Sequence, residues 1–192
     1  NPKLSSKVNT ILLQLTSLRQ GITKYGPAPH KPILLLVVID GFEKGYLWGR
    51  EVPISEELLT SFHDYWKLLV NTPHDANFSL PFFHLSSEVS GIWQLKPFVG
   101  KEIPVTKSNS IKSFRALRET VECAILSDEF AQALQNPVHR NEIKAALLER
   151  YFPEKHHCSL KHRFYILKRL KKTSYTIRLR IMPEKLFGNL SK

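Results

Sequence analysis

Ala28-Pro29-His30-Lys31-Pro32 leads directly into Ile33-Leu34-Leu35-Leu36-Val37-Val38-Ile39-Asp40, and this stretch decides the fold. It predicts a helix that begins at Lys31-Pro32, because a proline in the first turn gives up an N–H that has no partner there anyway. The helix should end near Gly41 or Gly45. Since it is apolar on nearly every side, we expect it at the centre of the domain.

The flanking sequence predicts more helices than strands. Helical spacing of Val8, Ile11, Leu12, Leu15 and Leu18 indicates a helix over Ser5–Arg19, with Ser5 or Ser6 as its N-cap. Further helices are expected after Ser55, from Ser127 through Leu134, and from Asn136-Pro137 to Phe152, with a short one within Ile111–Glu119. The strand candidates are Tyr46–Ile54, Pro81–Leu85 and Gly91–Leu95. The pattern predicts an α+β fold, a helix-dominated single domain with a small antiparallel sheet.

The positive charge is concentrated at one end of the chain. Residues 1–137 carry 14 Lys and Arg against 13 Asp and Glu, whereas residues 138–192 carry 14 against 4. A local excess of this size predicts a polyanionic partner, most simply nucleic acid, although a solubilising surface is the alternative. We expect a recognition domain over residues 1–155. Residues 156–192 would be a basic C-terminal extension, packed on the same domain or leading to a missing nuclease domain.

Several classes of protein are disfavoured. No apolar run approaches the roughly 20 residues that span a bilayer, and no signal segment follows the N-terminus. Cys123 and Cys158 are too few for a disulfide framework, and His156-His157-Cys158 lacks the spacing of a zinc site. We therefore expect a cytoplasmic protein with reduced thiols, no membrane partner, no metal and no cofactor.

The residues before the central helix form a candidate anion site. A helix N-terminus offers free N–H groups and a partial positive charge, which can hold a phosphate. Lys31 adds a full charge, His30 adds a directional donor, and Pro29 lies beside them. The alternative is an ordinary loop-to-helix junction with exposed polar side chains.

A second apolar segment, Leu80-Pro81-Phe82-Phe83-His84-Leu85, suggests what kind of anion would bind. Pro81 cannot donate to a strand ladder, so the sequence predicts an exposed apolar strand edge at Leu80-Pro81. A phosphorothioate sulfur is larger and more weakly hydrated than oxygen, and it loses little when it contacts such a surface. A phosphate oxygen there would lose its hydration without compensation. The contact would discriminate by ~1–3 kcal/mol.

These two segments together resemble the sulfur-binding domain of type IV, HNH-type restriction endonucleases that depend on phosphorothioate modification. The match consists of His30-Lys31-Pro32 with Leu34-Leu35-Leu36, and of Pro81-Phe82 with Trp93, over roughly residues 20–153. Leu80 departs from the family, which often has an aromatic residue there. The resemblance implies a bacterial defence protein that binds double-stranded phosphorothioate-modified DNA, with the sulfur on Pro29, His30, Leu80 and Pro81.

The remaining candidate DNA contacts are basic or small polar residues. The segment Lys107-Ser108-Asn109-Ser110 with Lys112 suits a loop inserted into a groove, since Asn can read an adenine edge and lysines can hold phosphates. Arg115 follows on the next turn. Lys161 and Lys168 would share one face of a basic helix. The alternatives are a solvated loop and the outer face of a packing helix.

Two other functions remain open. A metal-dependent DNA nuclease could use His30, His84, Asp40 and Glu88, but most acids lie at predicted helix starts, where they serve as caps. A reader of methylated bases would need an aromatic cage, for which Trp48, Trp66 and Trp93 are available. An HNH nuclease unit has no room before Lys192. The chain itself is therefore predicted to be a non-catalytic recognition module, with any catalytic HNH domain elsewhere or removed.

Overall fold

The computed structural model describes residues 2–103, 111 and 113–154. Helices and strands alternate irregularly along this part of the chain. The helices are α1 (Pro2–Thr16), α2 (His30–Lys44), α3 (Glu56–Leu69), α4 (Ser79–His84), α5 (Phe114–Thr120), α6 (Asp128–Gln135) and α7 (Pro137–Tyr151). The strands are β1 (Ile22–Thr23), β2 (Gly26–Pro27), β3 (Glu51–Pro53), β4 (Trp93–Pro97) and β5 (Val121–Leu126), and a 3₁₀ turn spans Leu85–Ser87.

Helix α2 is the centre of the fold, as its sequence predicts. Every residue from Pro32 to Phe42 is buried, and α3, α4, α6 and α7 all pack against the helix. It ends at Gly45, whose φ of 77° is a left-handed conformation that glycine adopts at little cost. Gly41 is also required, because a Cβ atom there would lie 2.6 Å from Cδ1 of Leu47.

The sheet is small and antiparallel. Strand β5 lies in the middle, with β3 on one side and β4 on the other, while β1 and β2 form a separate hairpin. The sequence prediction missed β5, although Val121, Cys123 and Ala124 are buried as a central strand requires. The strand expected over Tyr46–Ile54 is reduced to Glu51–Pro53, and the one expected over Gly91–Leu95 is shifted to Trp93–Pro97.

The strand predicted over Pro81–Leu85 is wrong, because this segment is helix α4. The side chain of Asn77 starts the helix: its Oδ1 accepts hydrogen bonds from the backbone N–H groups of Ser79, at 3.0 Å, and Leu80, at 3.3 Å. Pro81 then lies in the first turn, where a helix tolerates proline. The alternation of bulky side chains had favoured a strand, but a six-residue helix buries Phe82 and Phe83 equally well.

Most of the predicted helix starts are confirmed. Ser55, Ser127 and Asn136 accept the expected N-terminal hydrogen bonds of α3, α6 and α7. The exception is α1, which begins at Pro2, so neither Ser5 nor Ser6 is its N-cap. Its predicted inner face is confirmed at Val8, Ile11, Leu15 and Leu18, which are buried.

The predicted fold class is confirmed: helices dominate and the sheets are antiparallel. Residues up to Phe152 form one compact unit, which contains all of the elements α1 to α7 and β1 to β5. The predicted division at residue 155 stays a prediction. The basic helix expected to carry Lys161 and Lys168 lies outside the described residues. In the part of the chain that the structure describes, no helix is long and apolar enough to cross a membrane.

Candidate nucleic-acid interface

The candidate apolar spot is built on the first turn of α4. Two contacts hold the helix to the sheet: Trp93 Nε1 donates a 2.9 Å hydrogen bond to the carbonyl oxygen of Phe82, and the two rings meet edge to face with centroids 5.1 Å apart. Both rings are buried. Leu80 is half-buried and Pro81 is buried. The expected exposed strand edge is therefore wrong, and the apolar surface near Leu80 belongs to a helix start instead.

His30, the first residue of α2, is held from two sides. Its ring packs on Trp66 with centroids 4.6 Å apart, and its Nε2 lies 2.8 Å from the carbonyl oxygen of Asp75. Because a carbonyl only accepts hydrogen bonds, Nε2 must carry the proton. Burial lowers the pKa of His30, and the neighbouring His74 lowers it further, while the Asp75 carbonyl acts in the opposite direction. A neutral His30 ring therefore presents Nδ1 as a hydrogen-bond acceptor.

A continuous series of hydrogen bonds joins His30 to the apolar spot. Asp75 accepts from His30 through its carbonyl oxygen, which also accepts a 2.8 Å bond from the N–H of Asn77. Asn77 in turn binds the first N–H groups of α4, including that of Leu80. Helix α4 also packs on α2. The structure thus connects His30 and Leu80 through hydrogen bonds, and the sequence had predicted that their two segments form one site.

His74 fixes the same loop from its other side. Its Nδ1 lies 2.6 Å from Thr72 Oγ1, and its Nε2 lies 2.7 Å from Thr23 Oγ1 in the β1–β2 hairpin. Its ring lies 6.2 Å from that of His30 between centroids. Sequence reasoning missed His74, because its contact with the hairpin at Thr23 spans 51 residues and no spacing pattern marks it.

Lys31 is held inside the protein rather than pointing freely into solvent. Its Nζ donates to the carbonyl oxygen of Arg19, at 2.9 Å, and forms an ion pair with Glu88. The Lys31 side chain is only 13% exposed and that of Glu88 only 7%. Glu88 also accepts from the backbone N–H of Arg19 at 3.2 Å. A phosphate that binds Lys31 must therefore compete with the Glu88 carboxylate.

A cleft of about 490 Å³ opens beside the start of α4. Helix α3 contributes Leu59 and His63 to its wall, the loop before α4 contributes Asp75, and the start of α5 contributes Ser113 and Phe114. Among the residues that the structure describes, no Lys or Arg lines this cleft, and its described walls offer aromatic, hydroxyl and amide groups.

The structure describes only two of the other residues that were predicted to contact DNA. Pro29 is half-buried at the N-cap position of α2, and Arg115 is exposed on α5, where its Nε pairs with Glu119 at 2.8 Å. The remaining ones lie outside the described residues: Lys107, Ser108, Asn109, Ser110, Lys112, Lys161 and Lys168. The structure tests none of these roles, and they stay predictions.

The arrangement of acids and tryptophans does not favour the alternative functions. Asp40 is buried with its carboxylate 2.5 Å from Lys44 Nζ, and burial raises the pKa of that carboxyl while Lys44 opposes the shift. Among the described residues, no three His, Cys, Asp or Glu side chains lie close enough to hold a metal ion. Trp66 and Trp93 are core residues, as predicted, and Trp48 is 82% exposed.

The described residues form a helix-dominated fold with small antiparallel sheets, in which α4 packs against the central helix α2. The family model of the ScoMcrA-like DNA sulfur-binding domain matches residues 8–166. The chain belongs to this family, so the predicted resemblance is confirmed.

Solved structures support the same fold. The sulfur-binding domain of SprMcrA complexed with phosphorothioated DNA is 21% identical, with a TM-score of 0.57, over 76% of this chain and 85% of that chain. The sulfur-binding and SRA domains of ScoMcrA, also complexed with phosphorothioated DNA, are 22% identical over 74% of this chain, with a TM-score of 0.55. No curated protein matches the sequence.

The chain corresponds to only part of the larger relatives. It spans 43% of the two-domain ScoMcrA structure and 31% of the ScoMcrA structure described as a type IV phosphorothioation-dependent restriction endonuclease. The latter is 21% identical, with a TM-score of 0.55.

Proposed function

We propose that this chain binds double-stranded DNA that carries a phosphorothioate modification, as the recognition module of a modification-dependent restriction system. The observation that carries the proposal is the series of hydrogen bonds from His30 through Asp75 and Asn77 to Leu80, in a chain of the sulfur-binding domain family. This series holds a polar helix start and an apolar turn as one surface. A phosphorothioate is an anion that also carries a weakly hydrated sulfur atom. It therefore fits a surface with a polar part and an apolar part side by side.

Discrimination would come from the apolar side of this surface. A sulfur atom in contact with Leu80, Pro81 and Pro29 would lose only weak hydration. A phosphate oxygen in the same place would lose its hydrogen bonds to water. His30 would face the polar side of the same group. In this proposal the sulfur contacts the first turn of helix α4 instead of a strand edge. The residues assigned to the sulfur are the same ones that the sequence predicts.

Affinity for the rest of the duplex would come from basic residues. From the sequence, residues 155–192 carry 11 Lys and Arg against one acid, whereas residues 1–154 carry 17 against 16. We therefore assign phosphate contacts to Lys161 and Lys168, and groove contacts to Lys107, Ser108, Asn109, Ser110, Lys112 and Arg115. Lys31 would join them by exchanging Glu88 for a phosphate.

The chemistry of cleavage would lie outside this chain. A nuclease domain, of the HNH type in our proposal, would belong to a longer protein or a partner. The cytoplasm is the proposed location because the modified DNA that a restriction system would recognise is found there. No cofactor is part of the recognition step.

The direct test is a titration of two duplexes that are identical except for one phosphorothioate per strand, at ~150 mM salt and without metal ions, because salt sets the background affinity. We expect at least a tenfold preference for the modified duplex, which corresponds to about 1.4 kcal/mol. Equal weak binding to both duplexes would reject the function and leave a basic DNA-binding domain without sulfur recognition.

Binding should also tighten as the pH falls. The pKa of His30 is lowered in the free protein, and a nearby phosphate anion would raise it, so the complex would bind more protons than the free protein. We expect affinity for the modified duplex to increase about threefold to tenfold between about pH 7.5 and pH 5.5. Titrations across this range measure the effect, and His30→Asn should remove most of it. An unchanged pH profile in His30→Asn would mean that His30 does not face the phosphate.

A further inference from the structure

We propose that the β1–β2 hairpin is a second DNA-contacting element, in which Lys24 and Tyr25 bind the sugar-phosphate backbone beside the modified phosphate. The inference rests on the proposed function in taking DNA as the partner, and it adds a surface that the predicted contacts do not include. Its basis is the position, rigidity and charge of the hairpin.

The hairpin is ordered although it buries almost nothing. Gly21 to Tyr25 are exposed, and Ile22 is 80% exposed. A two-stranded hairpin without an apolar face is marginal by itself. Here hydrogen bonds replace packing: Thr23 Oγ1 donates to the carbonyl oxygen of Gly26 at 3.0 Å, and it accepts from the N–H of Tyr25 at 3.1 Å. Packing in the hydrophobic core therefore does not explain the conformation of the hairpin.

His74 ties the hairpin to the candidate interface. The imidazole lies between Thr23 Oγ1 and Thr72 Oγ1, at 2.7 and 2.6 Å. The same ring meets Tyr25 edge to face at 5.5 Å and His30 edge to face at 6.2 Å, both between centroids. Tyr25 and His30 therefore lie on two sides of one imidazole, so the hairpin tip is held next to the start of α2.

Lys24 is one of the exposed lysines that form no ion pair among the described residues, and it is the one that lies over the Tyr25 ring beside the start of α2. Lys7, Lys31, Lys44, Lys96 and Lys144 each form an ion pair with a carboxylate. Within the part of the chain that the structure describes, Lys24 has no carboxylate partner, and its Nζ lies 4.9 Å from the centre of the Tyr25 ring. An exposed ammonium over a ring that carries a hydroxyl donor is suited to phosphate oxygens.

The test compares Lys24→Ala with Lys67→Ala. Lys67 is a second exposed lysine, on α3, with no carboxylate partner among the described residues, so both variants remove the same kind of charge. For Lys24→Ala we expect about fivefold weaker binding to modified and unmodified duplexes alike. The slope of log affinity against log salt concentration is negative, and it should become shallower by about 0.9, the value for one phosphate contact. Lys67→Ala should change neither quantity.

The outcomes separate the two proposals. If Lys24→Ala keeps the salt slope of the parent chain, or if both variants lose affinity equally, the hairpin makes no specific contact and the inference is overturned. The preference of the parent chain for the modified duplex tests the proposed function independently, since the slope can be measured on unmodified DNA. Tyr25→Phe should lower affinity by a smaller factor, and unfolding midpoints should be unchanged because both side chains are exposed.

Discussion

Pro81→Ala should reduce the preference for phosphorothioate DNA by about tenfold while leaving the weak binding to unmodified DNA unchanged. A tenfold change corresponds to about 1.4 kcal/mol, in the range expected when part of an apolar contact is removed. Alanine is compatible with the first turn of α4, whose N-terminal hydrogen bonds come from Asn77 and do not involve Pro81. Because Pro81 is buried, unfolding midpoints of the variant and the parent chain are compared as well, so that a loss of stability is distinguished from loss of the sulfur contact. Paired titrations of modified and unmodified duplexes measure the preference.

Pro137→Ala is the control for replacing a proline in the first turn of a helix; Pro137 is exposed, whereas Pro81 is buried. Pro137 is also in the first turn of a helix, α7, and its start is capped in the same way by an asparagine, Asn136. This variant should keep the full preference for modified DNA. If Pro81→Ala also kept it, the sulfur would have to contact another surface. If Pro81→Ala weakened binding to both duplexes equally, the proline would support the fold of the site rather than discriminate.

Lys31→Ala should destabilise the protein by about 2–4 kcal/mol, because it leaves Glu88 as a nearly buried carboxylate without its cation. The backbone N–H of Arg19 still donates to Glu88, which keeps the loss at the lower end of what a buried ion pair costs. Urea unfolding of the two proteins measures the difference. Any loss of DNA affinity in Lys31→Ala has to be measured at a temperature where the variant is folded.

Two further variants test whether the loss of stability comes from breaking the buried Lys31–Glu88 pair or from removing any positive charge. Lys7→Ala breaks an exposed pair with Glu129, whose atoms are 3.8 Å apart, and should cost less than about 0.5 kcal/mol. Adding Glu88→Gln to Lys31→Ala removes the uncompensated charge, so the double variant should recover much of the lost stability. A Lys31→Ala protein as stable as the parent would show that Glu88 is satisfied without the lysine.

Local signals account for the parts of the fold that the sequence predicted. An uninterrupted apolar run identified α2 as the central helix, and Ser55 and Ser127 marked helix starts through their own hydrogen bonds. The segment after Asn77 was misassigned for a local reason as well. Alternating bulky residues fit either a strand or one short helix, and the side chain of Asn77 decided in favour of the helix.

Long-range contacts explain what sequence reasoning missed in the site. His30, Lys31, Leu80 and Pro81 were identified from two motifs, but the partners that position them came from elsewhere in the chain. Glu88 is 57 residues from Lys31, and His74 is 51 residues from Thr23. No spacing rule connects such residues, because their meeting depends on how the helices pack. The assignment of these residues to DNA contacts stays a prediction.

The burial of the middle of α2 has a consequence for the proposed DNA complex. His30 begins a helix that is enclosed from Pro32 to Phe42, and its ring is wedged between Trp66 and the Asp75 carbonyl. We expect a surface anchored in this way to change little on binding, so that a bound duplex would have to adjust. Base steps that bend or unstack easily would then be favoured around the modification, even at positions that no side chain touches. Part of the sequence preference would thus be set by the mechanics of the double helix.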